Sequence, residues 1–248
     1  MKQRQEHAHR LFRRWRGATA LLSLAVTIMI QIMPTTVPAA IEPAEPCADH
    51  SLVAVRAGDP QEMALICSFA GRAIELLAAY GLAAERRINI EIVDESIDNH
   101  GYIAYGSYDS RVDRITLMSL AAVMSALDDP QMYDEPFDEV HYGGAVAHEV
   151  AHAVMQHHLQ VKPLSPTPQE YLAHVIQLGV LPEDRRQRII DRTGVAAWES
   201  GDTLADAYMA LDQTGFAVKS YLHFSGLADP AAFVHYLLRA RWFVTYVP

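Results

Sequence analysis

Apolar and polar positions divide this chain into two halves of different periodicity. Ile88, Ile90 and Ile92 alternate with polar neighbours, and Val112, Ile115 and Leu117 give a second alternating stretch. A two-residue period places every other side chain on one face, so Ile88–Val93 and Arg111–Met118 are expected strands. Leu52–Val55 is a third, shorter strand. Pro60–Tyr80 carries helical spacing and stops at Gly81, and Ser119–Ala126 reads as a short helix. Asp94–Ser110 is rich in Gly, Asn, Tyr and Ser and reads as a loop. Asp128–Glu139 is acidic with two prolines and reads as a loop or lid. From His141 onward the pattern is helical throughout. It gives a helix to about His158, then Thr167–Leu178, Glu183–Asp191, Thr203–Phe224 and Pro230–Trp242, punctuated by Gly194, Gly201 and Gly226. Strands first and helices afterwards argue for an α+β fold.

The first forty residues fall outside this pattern. Lys2, Arg4, Arg10, Arg13, Arg14 and Arg16 precede an uncharged apolar run, Ala18–Met33, and Val37-Pro38-Ala39 offers small residues for cleavage after Ala39. A basic segment followed by an apolar one is the pattern of an export signal. The expected organisation is a signal over residues 1–39, a Pro- and Ala-rich linker over 40–50 and one domain over 51–248. An uncleaved signal would instead anchor the chain in a membrane. Either way the domain lies outside the cytoplasm, in a periplasm or secreted. Residues 1–39 hold six cations and one acid, so the remainder carries −15 where the whole chain carries −10. An acidic domain without a basic stripe excludes nucleic-acid binding. The two cysteines, Cys47 and Cys67, are expected to form one disulfide in an oxidising compartment, closing a loop of about twenty residues.

The chemistry concentrates in Gly143-Gly144-Ala145-Val146-Ala147-His148-Glu149-Val150-Ala151-His152-Ala153-Val154. Four residues make about one helical turn, so His148 and His152 stack on one face and both imidazoles can reach one ion. Glu149 projects beside them as a general base. Two neutral nitrogen ligands with an adjacent carboxylate suit metal-assisted hydrolysis. Residues 143–155 carry no charge other than Glu149. A buried helix holding one carboxylate and two imidazoles needs a partner for them, and a metal ion supplies it.

A catalytic zinc takes three protein ligands. His158 follows His152 by six residues, but Met155 stands where a glycine would break the helix. A continuing helix turns His158 about 240° away from His152, so His157 and His158 belong to another face. Glu170 lies eighteen residues after His152 and opens the next helix, Gln169-Glu170-Tyr171-Leu172-Ala173-His174. A helix–loop–helix hairpin of that length brings its carboxylate beside the motif helix. Glu199 and Asp202, in a Gly-flanked turn, are the fallback. The oxyanion formed during amide hydrolysis needs a donor; Tyr221 and His223 are the candidates, with His235 and Tyr236 behind them.

The sequence His148-Glu149-x-x-His152 followed by Glu170-x-x-Ala173 resembles the gluzincin branch of the zincin metallopeptidases. The likeness is specific over about residues 140–176 and extends to exported bacterial zincin-like proteins. It implies His148, His152 and Glu170 as Zn2+ ligands and Glu149 as the base for a water on the metal. It also implies a small mixed sheet over the motif helix, with Arg111–Met118 as the edge strand at the cleft and a mostly helical C-terminal part. The function so implied is an exported zinc-dependent peptidase acting on a peptide or protein substrate. The alternative is a non-enzymatic zincin-like module of the cell envelope with a structural or vestigial metal site. A membrane contact is expected only if the signal stays uncleaved.

Overall fold

The computed structural model describes residues 43–56, 59–99, 102–159, 165–239 and 244–247. The export signal read over residues 1–39 lies outside these described residues. The elements in chain order are β1 (Glu45–Pro46), β2 (Val53–Arg56), α1 (Pro60–Ala79), β3 (Ile88–Val93), β4 (Ile97–Asn99), β5 (Tyr102–Ala104), β6 (Gly106–Asp109) and β7 (Arg114–Met118). There follow α2 (Leu120–Ala126), β8 (Gln131–Met132), β9 (Glu135–Pro136), α3 (Glu139–His158), α4 (Pro166–Gly179) and α5 (Glu183–Thr193). The chain closes with β10 (Thr203–Ala205), α6 (Asp206–Leu211), α7 (Gln213–Ser225), α8 (Pro230–Leu237) and β11 (Val244–Tyr246). The fold is α+β: a small mixed sheet and, among the described residues, eight helices.

The sheet runs β1-β2-β3-β7-β6. β2, β3 and β7 are parallel, with Ile90 opposite Val55 on one side and Ile115 on the other. β1 and β6 close the two edges antiparallel. The parallel pairs need crossovers, and α1 supplies the first. Its ends are written locally: Asp59 accepts from the Gln61 N–H, Pro60 occupies the first turn, and Gly81 follows the helix at φ +86°. The Cys47–Cys67 disulfide ties the β1–β2 segment to α1.

The motif helix α3 lies at the centre. Tyr142, Val146, Val150 and Val154 are buried, as are Ala147, Ala151 and Ala153 on its other faces. A helix apolar on every face must be wrapped by its neighbours, and α1, α4 and the sheet strands β6 and β7 do this. Two glycines permit the close approach. A Cβ on Gly143 would fall 2.3 Å from the Phe69 ring of α1, and one on Gly144 would meet Leu181 and Gln177 at 3.2 and 3.4 Å. Asp138 caps the helix, accepting from the N–H groups of Val140 and His141.

Several elements differ from the sequence reading. The expected loop Asp94–Ser110 contains β4, β5 and β6, and the acidic stretch Asp128–Glu139 contains the β8–β9 hairpin. These strands have two to four residues, too few for a period to declare itself. The alternating stretch Arg111–Met118 yields a strand only from Arg114, because Asp113 adopts φ +52° in the turn after β6. That strand is internal, paired with β3 and β6, and the edge strand at the cleft is β6. Thr203–Phe224 is a strand and two helices: Asp212 ends α6 and caps α7 through the Gly215 N–H at 2.8 Å. The C-terminal part is therefore not wholly helical, since β10 pairs antiparallel with β11.

Candidate metal centre

His148 and His152 occupy successive turns of α3 and face the start of α4, where Glu170 stands. The three donors form a triangle. His148 Nε2 lies 3.0 Å from His152 Nε2. Glu170 Oε2 lies 3.3 Å from His148 Nε2, and Glu170 Oε1 lies 3.3 Å from His152 Nε2. Tetrahedral ligation with bonds of about 2.0–2.1 Å separates neighbouring donors by about 3.3 Å, and each histidine nitrogen stands at that spacing from its nearer Glu170 oxygen, Oε2 for His148 and Oε1 for His152. Among the described residues these three form the cluster able to hold a metal.

The proton arrangement points the same way. Gln177 Oε1 sits 2.9 Å from His148 Nδ1 and accepts its N–H. The lone pair of His148 is thereby left on Nε2, facing the Nε2 of His152. An outer hydrogen bond that fixes the tautomer of a ligating histidine is a common feature of metal sites. Two imidazole nitrogens 3.0 Å apart and a carboxylate at 3.3 Å from each are satisfied by a cation or by shared protons among them. Without a metal, protons serve. Burial disfavours a charged His152, but the Glu170 carboxylate outweighs burial and raises its pKa. Burial likewise works against the Glu170 anion, yet the two imidazoles hold its carboxyl well below the usual range.

Glu149 is buried beside this triangle, and burial raises its pKa; the Tyr108 backbone N–H and the nearby imidazoles oppose the rise. Its position is set by the edge strand. Gly106 of β6 approaches so closely that a Cβ there would lie 2.9 Å from Glu149 Cγ and 2.5 Å from Leu117 Cδ2. The carboxylate is thus held between its own helix and the sheet edge. All four groups open on a cleft of about 1070 Å³ bounded by β6, by Tyr105, Met132 and Tyr133, and by Met209 and Gln213.

The matched family is DUF6639, a family of unknown function, whose model covers residues 53–247. The chain belongs to the DUF6639 family. No curated protein and no solved structure matches it. The matched span of this DUF6639 protein contains every residue of the triangle and of the cleft.

Other residues singled out in the sequence lie elsewhere in the DUF6639 fold. α3 runs through Met155 unbroken, and His158 Nε2 donates to the Ala83 carbonyl at 2.7 Å. His157 pairs with Asp113 at 2.7 Å. Glu199 and Asp202 bond to one another's segment in an exposed turn. The expected oxyanion donors are not at the cleft. His223 Nδ1 meets the Tyr171 hydroxyl at 2.6 Å, and Tyr221 lies under the Arg186 guanidinium. Both sit on α7 behind α4, away from the triangle. His235 and Tyr236 of α8 do not line the cleft either.

Three residues went unread in the sequence: Gln177, His174 and Tyr133. Glu170, His174 and Gln177 stand at i, i+4 and i+7, one face of α4, so a helical projection of that segment finds His174 and Gln177 from Glu170. Tyr133 and Gly106 leave no such trace, because each acts across the fold.

Proposed function

We propose that this protein is an exported zinc-dependent hydrolase of peptide bonds, with a zincin-like site of the gluzincin kind. The observation that carries the reading is the His148–His152–Glu170 triangle, with edges matching zinc ligation, standing beside a buried carboxylate in an open cleft. His148, His152 and Glu170 would hold the ion. When bound, zinc lowers the pKa of a coordinated water toward neutrality and polarises a carbonyl. Glu149 accepts the proton of the attacking water on a carboxylate oxygen and delivers it to the leaving amine nitrogen. Burial raises its proton affinity, which favours that double role. Gln177 keeps the His148 lone pair turned inward.

The cleft supports an extended peptide as the substrate. Its volume of about 1070 Å³ is just above the range of about 300–1,000 Å³ for small-molecule pockets. One wall is an edge strand whose outer backbone groups, apart from the Tyr108 N–H held by Glu149, can pair with an extended chain. A mixed sheet with an antiparallel edge strand over the motif helix supports the zincin likeness. Export is supported by the Cys47–Cys67 disulfide.

The test combines metal content with turnover. Purified wild type and Glu149→Gln should each carry about one zinc per chain, and Glu170→Ala should lose it. Wild type should cleave members of a quenched fluorescent peptide library, and Glu149→Gln should be slower by about 10²–10⁴-fold. A wild type without zinc, or a Glu149→Gln variant with full activity, refutes the proposal.

A further inference from the structure

His174 is the buried polar group that the fold leaves facing the site without a partner. It is 3 % exposed, and its Nε2 has no hydrogen-bond partner among the described residues. That nitrogen lies 4.0 Å from Glu170 Oε2. The ring packs on His148 at 4.8 Å between centroids, the same separation and the same 68° tilt as His152 on the other side. Yet His174 is outside the cluster of mutually close donors. It lines the cleft beside the ligands. An unpaired buried nitrogen is costly unless something meets it.

The other ring nitrogen tells which proton it carries. Tyr133 Oη lies 3.1 Å from His174 Nδ1. Tyr133 is buried, and this is the hydrogen bond its hydroxyl makes. A buried hydroxyl proton needs an acceptor, and Nδ1 can serve only if it is unprotonated. The proton of the neutral ring then sits on Nε2, pointing into the site. Gln177 Oε1, 3.2 Å from the same Nδ1, is the competing acceptor for a proton there; it accepts the His148 N–H at the shorter distance of 2.9 Å, and the Tyr133 hydroxyl is the nearer of the two groups to His174 Nδ1.

The backbone at Tyr133 is built for this contact. Tyr133 and Asp134 have φ of +55° and +59°, the two central residues of the tight turn between β8 and β9. Both positive angles are what a two-residue hairpin requires, and glycine or asparagine usually supplies them. A tyrosine there is strained and persists where the surroundings hold it. Glu135, next in the chain, is buried beneath ion pairs to Arg185, Arg188 and Arg192 of α5. The hairpin is thereby clamped with the Tyr133 ring turned inward toward His174.

We infer that His174 donates its Nε2–H to the substrate carbonyl oxygen as that oxygen gathers negative charge, and that Tyr133 is the positioning residue that sets the ring's tautomer. This rests on the hydrolase reading above and names its missing oxyanion donor. The ring gives a hydrogen bond and keeps its proton, so no proton is owed at the end of the cycle.

The test uses the zinc-loaded full chain and two readouts besides turnover. Long-range ¹H–¹⁵N spectra of the imidazoles should show His174 as the Nε2–H tautomer in the wild type, and Tyr133→Phe should shift it toward Nδ1–H, donating to Gln177. His174→Leu should keep about one zinc per chain and lose affinity for a phosphonate peptide, a mimic of the tetrahedral state, by about 10²–10³-fold. His174→Gln, which retains an N–H, should recover part of that loss. A wild-type ring protonated on Nδ1, zinc lost with His174→Leu, or unchanged phosphonate affinity overturns the inference. Zinc and phosphonate binding by the wild type with no effect of His174→Leu removes this role alone. A wild type that binds neither removes the hydrolase reading along with it. The tautomer spectrum requires no variant, so a misfolded substitution still leaves a decisive measurement.

Discussion

Gln177 illustrates how a single side chain configures this site. Its carbonyl oxygen is the reason the His148 lone pair faces inward, and its amide group reaches Met132 Sδ at 3.0 Å. Removing the orienting acceptor frees the ring to rotate or change tautomer. Gln177→Ala is therefore expected to weaken zinc binding by about 10–100-fold while the fold survives, measured by competition with a zinc-chelating dye. An unchanged affinity would mean the ring is held by packing alone. Glycine carries the same weight by absence. Gly106→Ala must displace Leu117 or Glu149, because the added Cβ would stand 2.5 and 2.9 Å from their side chains. The expected result is a protein that folds and keeps zinc but hydrolyses peptides at least tenfold more slowly, since a displacement of about 1 Å in a reacting group can cost about 10²-fold. Wild-type turnover would show that Glu149 tolerates the displacement.

Among the elements, α3 is the one on which the others converge. Its glycines admit α1 and α4, so Gly143→Ala forces the Phe69 ring to move and should destabilise the protein by about 1–3 kcal/mol, seen as a lower urea midpoint. Its C-terminal turn is joined to the β6–β7 turn by Asp113. That carboxylate accepts from His157 at 2.7 Å and from the Tyr108 hydroxyl at 2.8 Å, and it pairs with Arg86. Burial works against the ionised form, but these partners prevail and lower its pKa. A carboxyl depressed in the folded state adds stability above its unfolded pKa of about 3.9 and loses it as pH falls. Asp113→Asn, which tolerates the positive φ, should thus reduce the fall in stability below about pH 4, read by denaturant midpoints across pH. Identical acid limbs in the two proteins would mean the link contributes nothing.

At the scale of the whole molecule, the disulfide is the covalent staple between the first strands and α1. Closing a loop of about twenty residues stabilises by about 3 kcal/mol through the unfolded chain. Replacing Cys47 and Cys67 with alanine should lower stability by about that amount and leave zinc content unchanged, because the bond joins the β1–β2 segment to α1 whereas the cleft is bounded by β6 at the opposite sheet edge. Among the described residues no helix is long and apolar enough to cross a membrane.

The sequence by itself determined the elements whose periods are long enough to read: Ile88–Val93, the helix from Pro60, the motif helix and the helix bearing Glu170. It also determined that His148 and His152 share a face, since helical geometry fixes i and i+4 without any tertiary contact. The α+β class followed from the order of those elements. Tertiary structure alone decided what a short strand does. β6, four residues with no hydrophobic period, becomes the sheet edge that holds Glu149, and Arg114–Met118 becomes an interior strand. Tertiary structure also moved Tyr221 and His223 off the cleft and brought Tyr133 onto His174, forty-one residues away. Local spacing governs contacts within one element, whereas contacts between elements depend on packing angles and turn conformations that no single segment encodes.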